Sequence, residues 1–352
     1  MIPIQNVYYM LSYAFRILNE QGYKNMATEQ FNNTADLMAA ILARGIAIQI
    51  KRGLGKEYIL KTESLSTLRG RLDITESIKT QTMLNRQMVC TYDEFSVDGM
   101  MNRIIKSTVE LLLKSDISKQ RKKELRKLLV YFGEIEVIDL YSVNWNIQYN
   151  RNNQNYRLLI YVCYLVVKGL IQTNADGSIK MMDFLDEQRM CKLYEKFILE
   201  YFKKEYPEIK TNASRISWQL DDGMDVMLPI MQTDVVLSYG DNMLIIDAKY
   251  YESTTQTRFD TPTLHSGNLY QIFTYVKNKE KELEGQPHEL SGMLLYAKTD
   301  EAVYPDYKYQ MSGNQISVRT LDLNSDFKNI AAQLNGIVEE HFHLPKKSTI
   351  RI

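Results

Sequence analysis

Asp234, Asp247 and Lys249 are the residues of this 352-residue chain whose types and spacing most directly imply chemistry. Asp234 precedes the apolar, β-branched run Val235-Val236-Leu237, and Asp247 and Lys249 close the run Leu244-Ile245-Ile246-Asp247-Ala248-Lys249. Between them, Ser238-Tyr239-Gly240-Asp241-Asn242 carries the Gly, Asp and Asn residues that favour a tight hairpin turn. A turn centred on Gly240-Asp241 sets Asp234 about opposite Asp247, and facing residues of an antiparallel pair have Cβ atoms roughly 4.5–5.5 Å apart. Two carboxylates at that separation suit one divalent cation, Mg2+ or Mn2+ in its place, because such cations take hard oxygen ligands. Lys249, two residues beyond Asp247, shares its strand face. There it serves either to orient or deprotonate a water beside the metal, or to neutralise charge on a scissile phosphate. The chemistry expected is metal-dependent phosphodiester hydrolysis. Asp-x-Lys alone is usually a solvated strand end, but Asp247 follows four apolar residues, Met243 to Ile246, which read as a buried strand.

The flanking elements must hold this hairpin. Met190, Leu193, Tyr194, Phe197, Ile198, Tyr201 and Phe202 recur at helical spacing, and Glu195 falls beside that stripe. Glu195 is either a further metal ligand or a solvent-facing acid on a charged helix, whereas Glu200 reads as surface. Downstream, Gly267 to Val276 reads as a helix on which Gln271 and Tyr275 are one turn apart on one face. These two either hydrogen-bond the site or the nucleic-acid backbone, or belong to a helix that simply covers the sheet. The run Met293-Leu294-Leu295-Tyr296-Ala297 resembles a central strand, with Lys298 after it as a candidate for the substrate channel.

The first half speaks more of shape than of chemistry. Ile2 to Leu18 has helical spacing with an opening Pro, which suits a helix start. Ile46 to Leu60 reads as two strands around a basic, Gly-containing turn. Arg69-Gly70-Arg71 presents either a strand-edge charge pair or guanidinium groups for a partner's nucleotide or phosphate, which Arg binds bidentately. Asn102 to Val130 reads as helix, and its charged run from Lys119 to Lys127 is either a solvated face or a phosphate-contacting patch. Tyr156 to Ile171 is apolar but too short, between Arg157 and Lys168, for the ~18 continuous apolar residues of a membrane span. Polar residues 173–178 read as a linker, which divides the chain into residues 1–175 and 176–352.

Composition bounds the rest. With 45% apolar residues, each of two domains can bury a core. Cys90, Cys163 and Cys191 have no paired spacing, so neither a disulfide scaffold nor a zinc site is expected. The start lacks the pattern of a secretory signal, and a cytoplasmic location is expected. Forty-three basic residues balance 43 acidic ones. Phosphate neutralisation supplies most non-specific affinity, so the chain alone should grip duplex DNA weakly and needs a partner that loads it. No G-x-x-x-x-G-K-[ST] loop is present, so nucleotide hydrolysis must come from elsewhere.

The order of these elements, a helix with a Glu, a hairpin with Asp and Asp-x-Lys, a helix with Gln-x-x-x-Tyr, then a strand, resembles the PD-(D/E)xK nuclease superfamily over roughly residues 185–300. It departs in having Thr233 before the first Asp and Asp at the second acidic position. Three earlier segments, Ile2 to Ala14, Leu68 to Asp73, and Tyr92 to Asp98 with Asn102 to Lys106, resemble McrC-type subunits of McrBC 5-methylcytosine restriction systems. The resemblance implies an α/β (α+β) two-domain protein. Residues 1–175 would form a mixed helix and strand domain that docks on a partner and stimulates its GTPase, with Arg69 and Arg71 in the contact. Residues 176–352 would form a restriction-endonuclease-like domain with a central mixed β-sheet flanked by helices. It further implies an McrB-like AAA+ GTPase hexamer that binds the GTP, duplex DNA with modified cytosine as substrate, and Asp234, Asp247 and Lys249 as catalytic residues, with Glu195 as an added metal ligand. The rival expectation is a non-catalytic adaptor with a nuclease-like fold that regulates an AAA+ motor; a standalone repair nuclease is a third.

Overall fold

The computed structural model describes residues 2–15, 29, 31, 33–169, 187–250, 255–258, 261–298 and 304–344. The chain forms two compact units, Met1–Glu29 with Leu185–Ile352, and Gln30–Phe184. The expected linker at 173–178 lies outside the described residues. The division differs from a single cut at 175/176, because the first helix packs with the carboxy-terminal half.

In the first unit, α1 (Ile4–Ala14) lies against α7 (Glu187–Glu205). Tyr13 stacks on Phe327 and meets Phe197 edge-on, and Tyr13 OH donates to Glu205 Oε1 at 2.9 Å. Asn6 Nδ2 donates to Leu323 O and Ser325 O at 2.7 and 2.9 Å, which ties α1 to the turn before α9 (Phe327–Phe342). The stripe on α7 is buried at each expected position, from Met190 to Phe202. Beside α7 runs a sheet that contains, among the described residues, six strands ordered β12-β13-β11-β8-β7-β4. These are β12 (Tyr307–Met311), β13 (Asn314–Leu321), β11 (Glu289–Ala297), β8 (Asn242–Lys249), β7 (Val235–Tyr239) and β4 (Lys210–Asn212), while β5 (Arg215–Ile216) pairs with β6 (Met231–Gln232) and β9 (Thr255–Arg258) with β10 (Thr261–Leu264).

The pairing is mixed: β8, β11 and β13 are parallel, while β4, β7 and β12 pair antiparallel to their neighbours. Strand β11, expected to be central, sits between two parallel partners, and its residues from Gly292 to Ala297 are all buried, as parallel strands covered on both faces must be. Across this sheet lies α8 (Ser266–Glu282), with Ile272 and Val276 buried. Its approach is close because β11 offers Gly292, where a Cβ would come 2.8 Å from Val276 Cγ2 and 3.0 Å from Ile272 Cγ1.

The second unit contains α2 (Thr34–Arg52), α4 (Met100–Lys114), α5 (Lys119–Leu129) and α6 (Arg157–Gly169), with α2 and α4 both packed on α6. Strands β1 (Glu57–Leu65), β2 (Arg71–Leu72) and β3 (Met88–Ser96) form a sheet ordered β1-β3-β2. Ile46 to Ile50, read as a strand from its alternation, is the end of α2. Ile41, Leu42, Gly45, Ile46 and Gln49 are buried at helical spacing, and the Ala-rich helix started by the Asn33 cap continues through them. The basic Gly turn is therefore the helix terminus, with Gly53 at φ +88°. Asn102 binds Gly55 O and Val97 O through Nδ2, and its Oδ1 accepts from Tyr156 OH at 2.9 Å, while Asp98 grips Arg103 through both carboxylate oxygens. The Tyr92 to Lys106 motif thus closes the strand-to-helix corner.

Among the described residues no helix is long and apolar enough to cross a membrane, and Cys90, Cys163 and Cys191 are free thiols.

Candidate active site on the β7–β8 hairpin

The turn falls where the Gly and Asp residues indicated: Tyr239 pairs with Asn242, and Gly240 between them has φ +58°. Val235 pairs with Ile246, so the same register carries Asp234, one residue earlier, across from Asp247. Asp234 Oδ2 accepts a hydrogen bond from Ala248 N at 2.8 Å, which pins its side chain to the end of β8. Asp247 is only 2% exposed, and Lys249 Nζ lies 2.8 Å from its Oδ2. That ammonium is the charge partner of a carboxylate oxygen otherwise enclosed by the protein. Two carboxylates brought together across a hairpin, one of them almost fully buried, fit a hard divalent cation.

The electrostatics agree. Burial, then the charge of Asp247, then that of Glu195, push the Asp234 carboxyl up to about 8, against the pull of Ala248 N–H and Lys249. Burial also raises Asp247, and Lys249 opposes it. Ionising both acids is therefore unfavourable until more positive charge is supplied.

Around the triad, Lys249 Nζ donates to Gln271 Oε1 at 3.0 Å, Gln271 Nε2 donates to Tyr275 OH at 2.8 Å, and Tyr275 OH donates to Gln232 O at 3.1 Å. The expected one-turn pair on α8 thus binds the site itself, and the chain of bonds runs back to the residue two before Asp234.

Glu195 sits on α7 near enough for its charge to act on Asp234, with Cys191 Sγ donating to its Oε1 at 3.0 Å. Among the described residues, however, no three His, Cys, Asp or Glu side chains gather closely enough to hold a metal ion, so Glu195 is not drawn into one cluster with Asp234 and Asp247. Cys191 and Gln232 escaped sequence reasoning. Cys191 is one helical turn before Glu195, a spacing that identifies it, whereas Gln232 contributes through its backbone, which no side-chain pattern reveals. Lys298, expected near the substrate channel, instead pairs with Asp322 Oδ2 at 2.8 Å and covers the Tyr304 ring. In the second unit, Arg69 stacks on the Tyr92 ring at 4.1 Å and Arg71 is exposed on β2, and together they line an open hollow with Leu60 and Asp93.

The fold and site define an α/β protein that presents paired carboxylates and a lysine at the end of a mixed sheet. The family described as "McrBC 5-methylcytosine restriction system component" matches residues 5–297, and the chain belongs to it. It is 30% identical over 346 residues, 97% of its length and 98% of the relative, to the "Type IV methyl-directed restriction enzyme EcoKMcrBC" of Escherichia coli strain K12. Among solved structures it is similar, at 19% identity and a TM-score of 0.47, to a chain of a half-complex from the tetradecameric assembly of Thermococcus gammatolerans McrB AAA+ hexamers with bound McrC, covering 95% of this chain and 76% of that one. A second likeness, to a chain of the Thermococcus gammatolerans McrBC complex, has 21% identity, a TM-score of 0.38, and covers 56% of this chain and 57% of that one.

Proposed function

We propose that this chain is the DNA-cleaving subunit of a GTP-driven, modification-dependent restriction complex. It would hydrolyse phosphodiester bonds in duplex DNA that carries modified cytosine, with an McrB-like AAA+ GTPase hexamer as the partner that binds GTP. Family membership supports the restriction role. The observation that carries the chemistry is the buried Asp247 carboxylate, paired with Lys249 and facing Asp234 across the hairpin.

In this reading Asp234 and Asp247 hold Mg2+, or Mn2+, with Glu195 in electrostatic reach. The metal supplies Lewis acidity and a water acidified toward neutral pH. Lys249, already paired as a cation with Asp247, neutralises developing charge on the scissile phosphate rather than acting as a base. Gln271 aims its ammonium, and Tyr275 fixes Gln271 against the strand that leads to Asp234. In the second unit, Arg69 and Arg71 offer forked donors to the partner.

The test compares wild type with Asp247→Ala in the presence of partner, GTP, Mg2+ and methylated duplex. Loss of cutting by at least ~100-fold with GTPase stimulation retained is expected, the retained stimulation showing that the variant folds. Equal cutting by both proteins removes the reading.

A further inference from the structure

Helices α5 and α8 treat their lysines differently. On α8, Lys277, Lys279 and Lys281 each pair with the glutamate three residues on, Glu280, Glu282 and Glu284. Helix α5 carries six basic residues against one acid, and that acid, Glu124, pairs with Arg121. The remaining five, Lys119, Lys122, Lys123, Arg126 and Lys127, have no acidic partner among the described residues.

Their spacing is that of a single helical stripe, i, i+3, i+4, i+7, i+8, the pattern by which an apolar face is ordinarily recognised. Leu125 is the buried residue of α5, and Lys119, Lys123, Arg126 and Lys127 are exposed. A helix so held by one leucine, with its first turn capped by Ser118, gains nothing from lining up five like charges, since cations at i,i+4 repel. Within a chain of zero net charge, such segregation must be offset by something outside it.

We infer that the exposed face of α5 is a contact for the phosphate backbone of duplex DNA, carried by the unit that lacks the Asp234–Asp247 pair. Eight residues of helix span about 12 Å. One strand of B-DNA presents a phosphate every ~3.4 Å of axis, so the stripe matches about three or four consecutive phosphates. Lysines with no fixed partners suit non-specific backbone contact, which needs point charges rather than a planar fork. The inference rests on the reading that the chain acts on DNA, but it does not depend on where or whether cutting occurs.

The test uses the full-length chain without its partner, a fluorescent duplex and EDTA, so that no cleavage contributes. Binding is followed from about 50 to 200 mM salt for wild type, for the variant with Gln at 119, 122, 123, 126 and 127, and for one with Lys→Arg at the four lysines. The Gln variant should lose at least ~10-fold affinity at the low-salt end, and its log–log salt slope should fall by about 3. The Arg variant should retain both, and unchanged helical circular dichroism excludes unfolding. Equal binding or an unchanged slope in the Gln variant overturns the assignment, as does competition by polyglutamate as effective as competition by duplex, which would instead indicate an acidic protein surface. If Asp247→Ala cuts normally while the Gln variant loses binding, the nuclease reading fails and this contact stands; the converse pair of results sinks only this contact.

Discussion

Replacing Asp234 with Asn should stabilise the metal-free protein while abolishing the DNA cleavage proposed for it. The Asn side chain keeps an acceptor for Ala248 N and, like the protonated acid, sets no second negative charge beside Asp247. The folded carboxyl is raised from 3.8 to about 8. At low pH Asp234 is protonated in folded and unfolded chains alike, and its contribution is fully favourable. As pH climbs past the unfolded value, the unfolded chain releases the proton while the folded chain retains it. Stability therefore falls by about 1.4 kcal/mol per pH unit until the folded group also ionises near pH 8. At pH 7 this amounts to a ceiling of about 4 kcal/mol. Asp234 retains some contact with solvent, so about half of that, ~2 kcal/mol, is the expected gain for Asp234→Asn, or some 4–8 °C in the melting of this unit. The assay is thermal unfolding in EDTA from pH 5 to 8: the gap between variant and wild type should widen with pH, and saturating Mg2+ or Mn2+ should stabilise wild type alone. A variant equal to or less stable than wild type across that range would refute the electrostatic account of the carboxylate pair.

Tyr275→Phe removes the hydroxyl that joins Gln271 to Gln232 O; it should cost about 1 kcal/mol of stability and lower cleavage roughly tenfold by loosening Lys249, and unchanged cleavage would mean that Gln271 holds the ammonium unaided. Gly70→Ala places a Cβ 2.4 Å from Thr91 O at a φ of +67°, so it should destabilise the second unit by about 2–3 kcal/mol and displace Arg69 from the Tyr92 ring. Stimulation of the partner's GTPase should then drop with the nuclease residues untouched, and full stimulation would exclude Arg69 from that contact.

The hairpin was legible because both of its signals are local: β-branched runs and a Gly-Asp turn that, once centred on Gly240-Asp241, sets the register. That register alone carries Asp234 across from Asp247, as the paired residues Val235 and Ile246 confirm. The α7 stripe and the Gln271–Tyr275 pair were legible for the same reason, since helical period fixes a face. What the period leaves open is the aim of a side chain. Lys298 follows the strand as expected, yet Asp322, distant in sequence, captures it. His341 is half-buried and its Nδ1 bonds Ile337 O, because Phe342 beside it anchors the end of α9.

The same limit explains the two larger departures. Ile46 to Ile50 alternates like a strand, and only the preceding alanines and the Asn33 cap reveal that a helix is already under way, so a window beginning at Gly45 discards the deciding evidence. Helix α1 was legible as a helix from its spacing, but an apolar face does not state which core it serves. Its destination is set by specific partners: Glu205 for the Tyr13 hydroxyl, Phe197 and Phe327 for its ring, and two backbone carbonyls for Asn6. Buried amides and hydroxyls must find such partners or pay their desolvation in full. For an amphipathic helix near a chain terminus, its buried polar residues therefore help decide which unit it joins, and here Asn6 does so by bonding two carbonyls of the turn before α9.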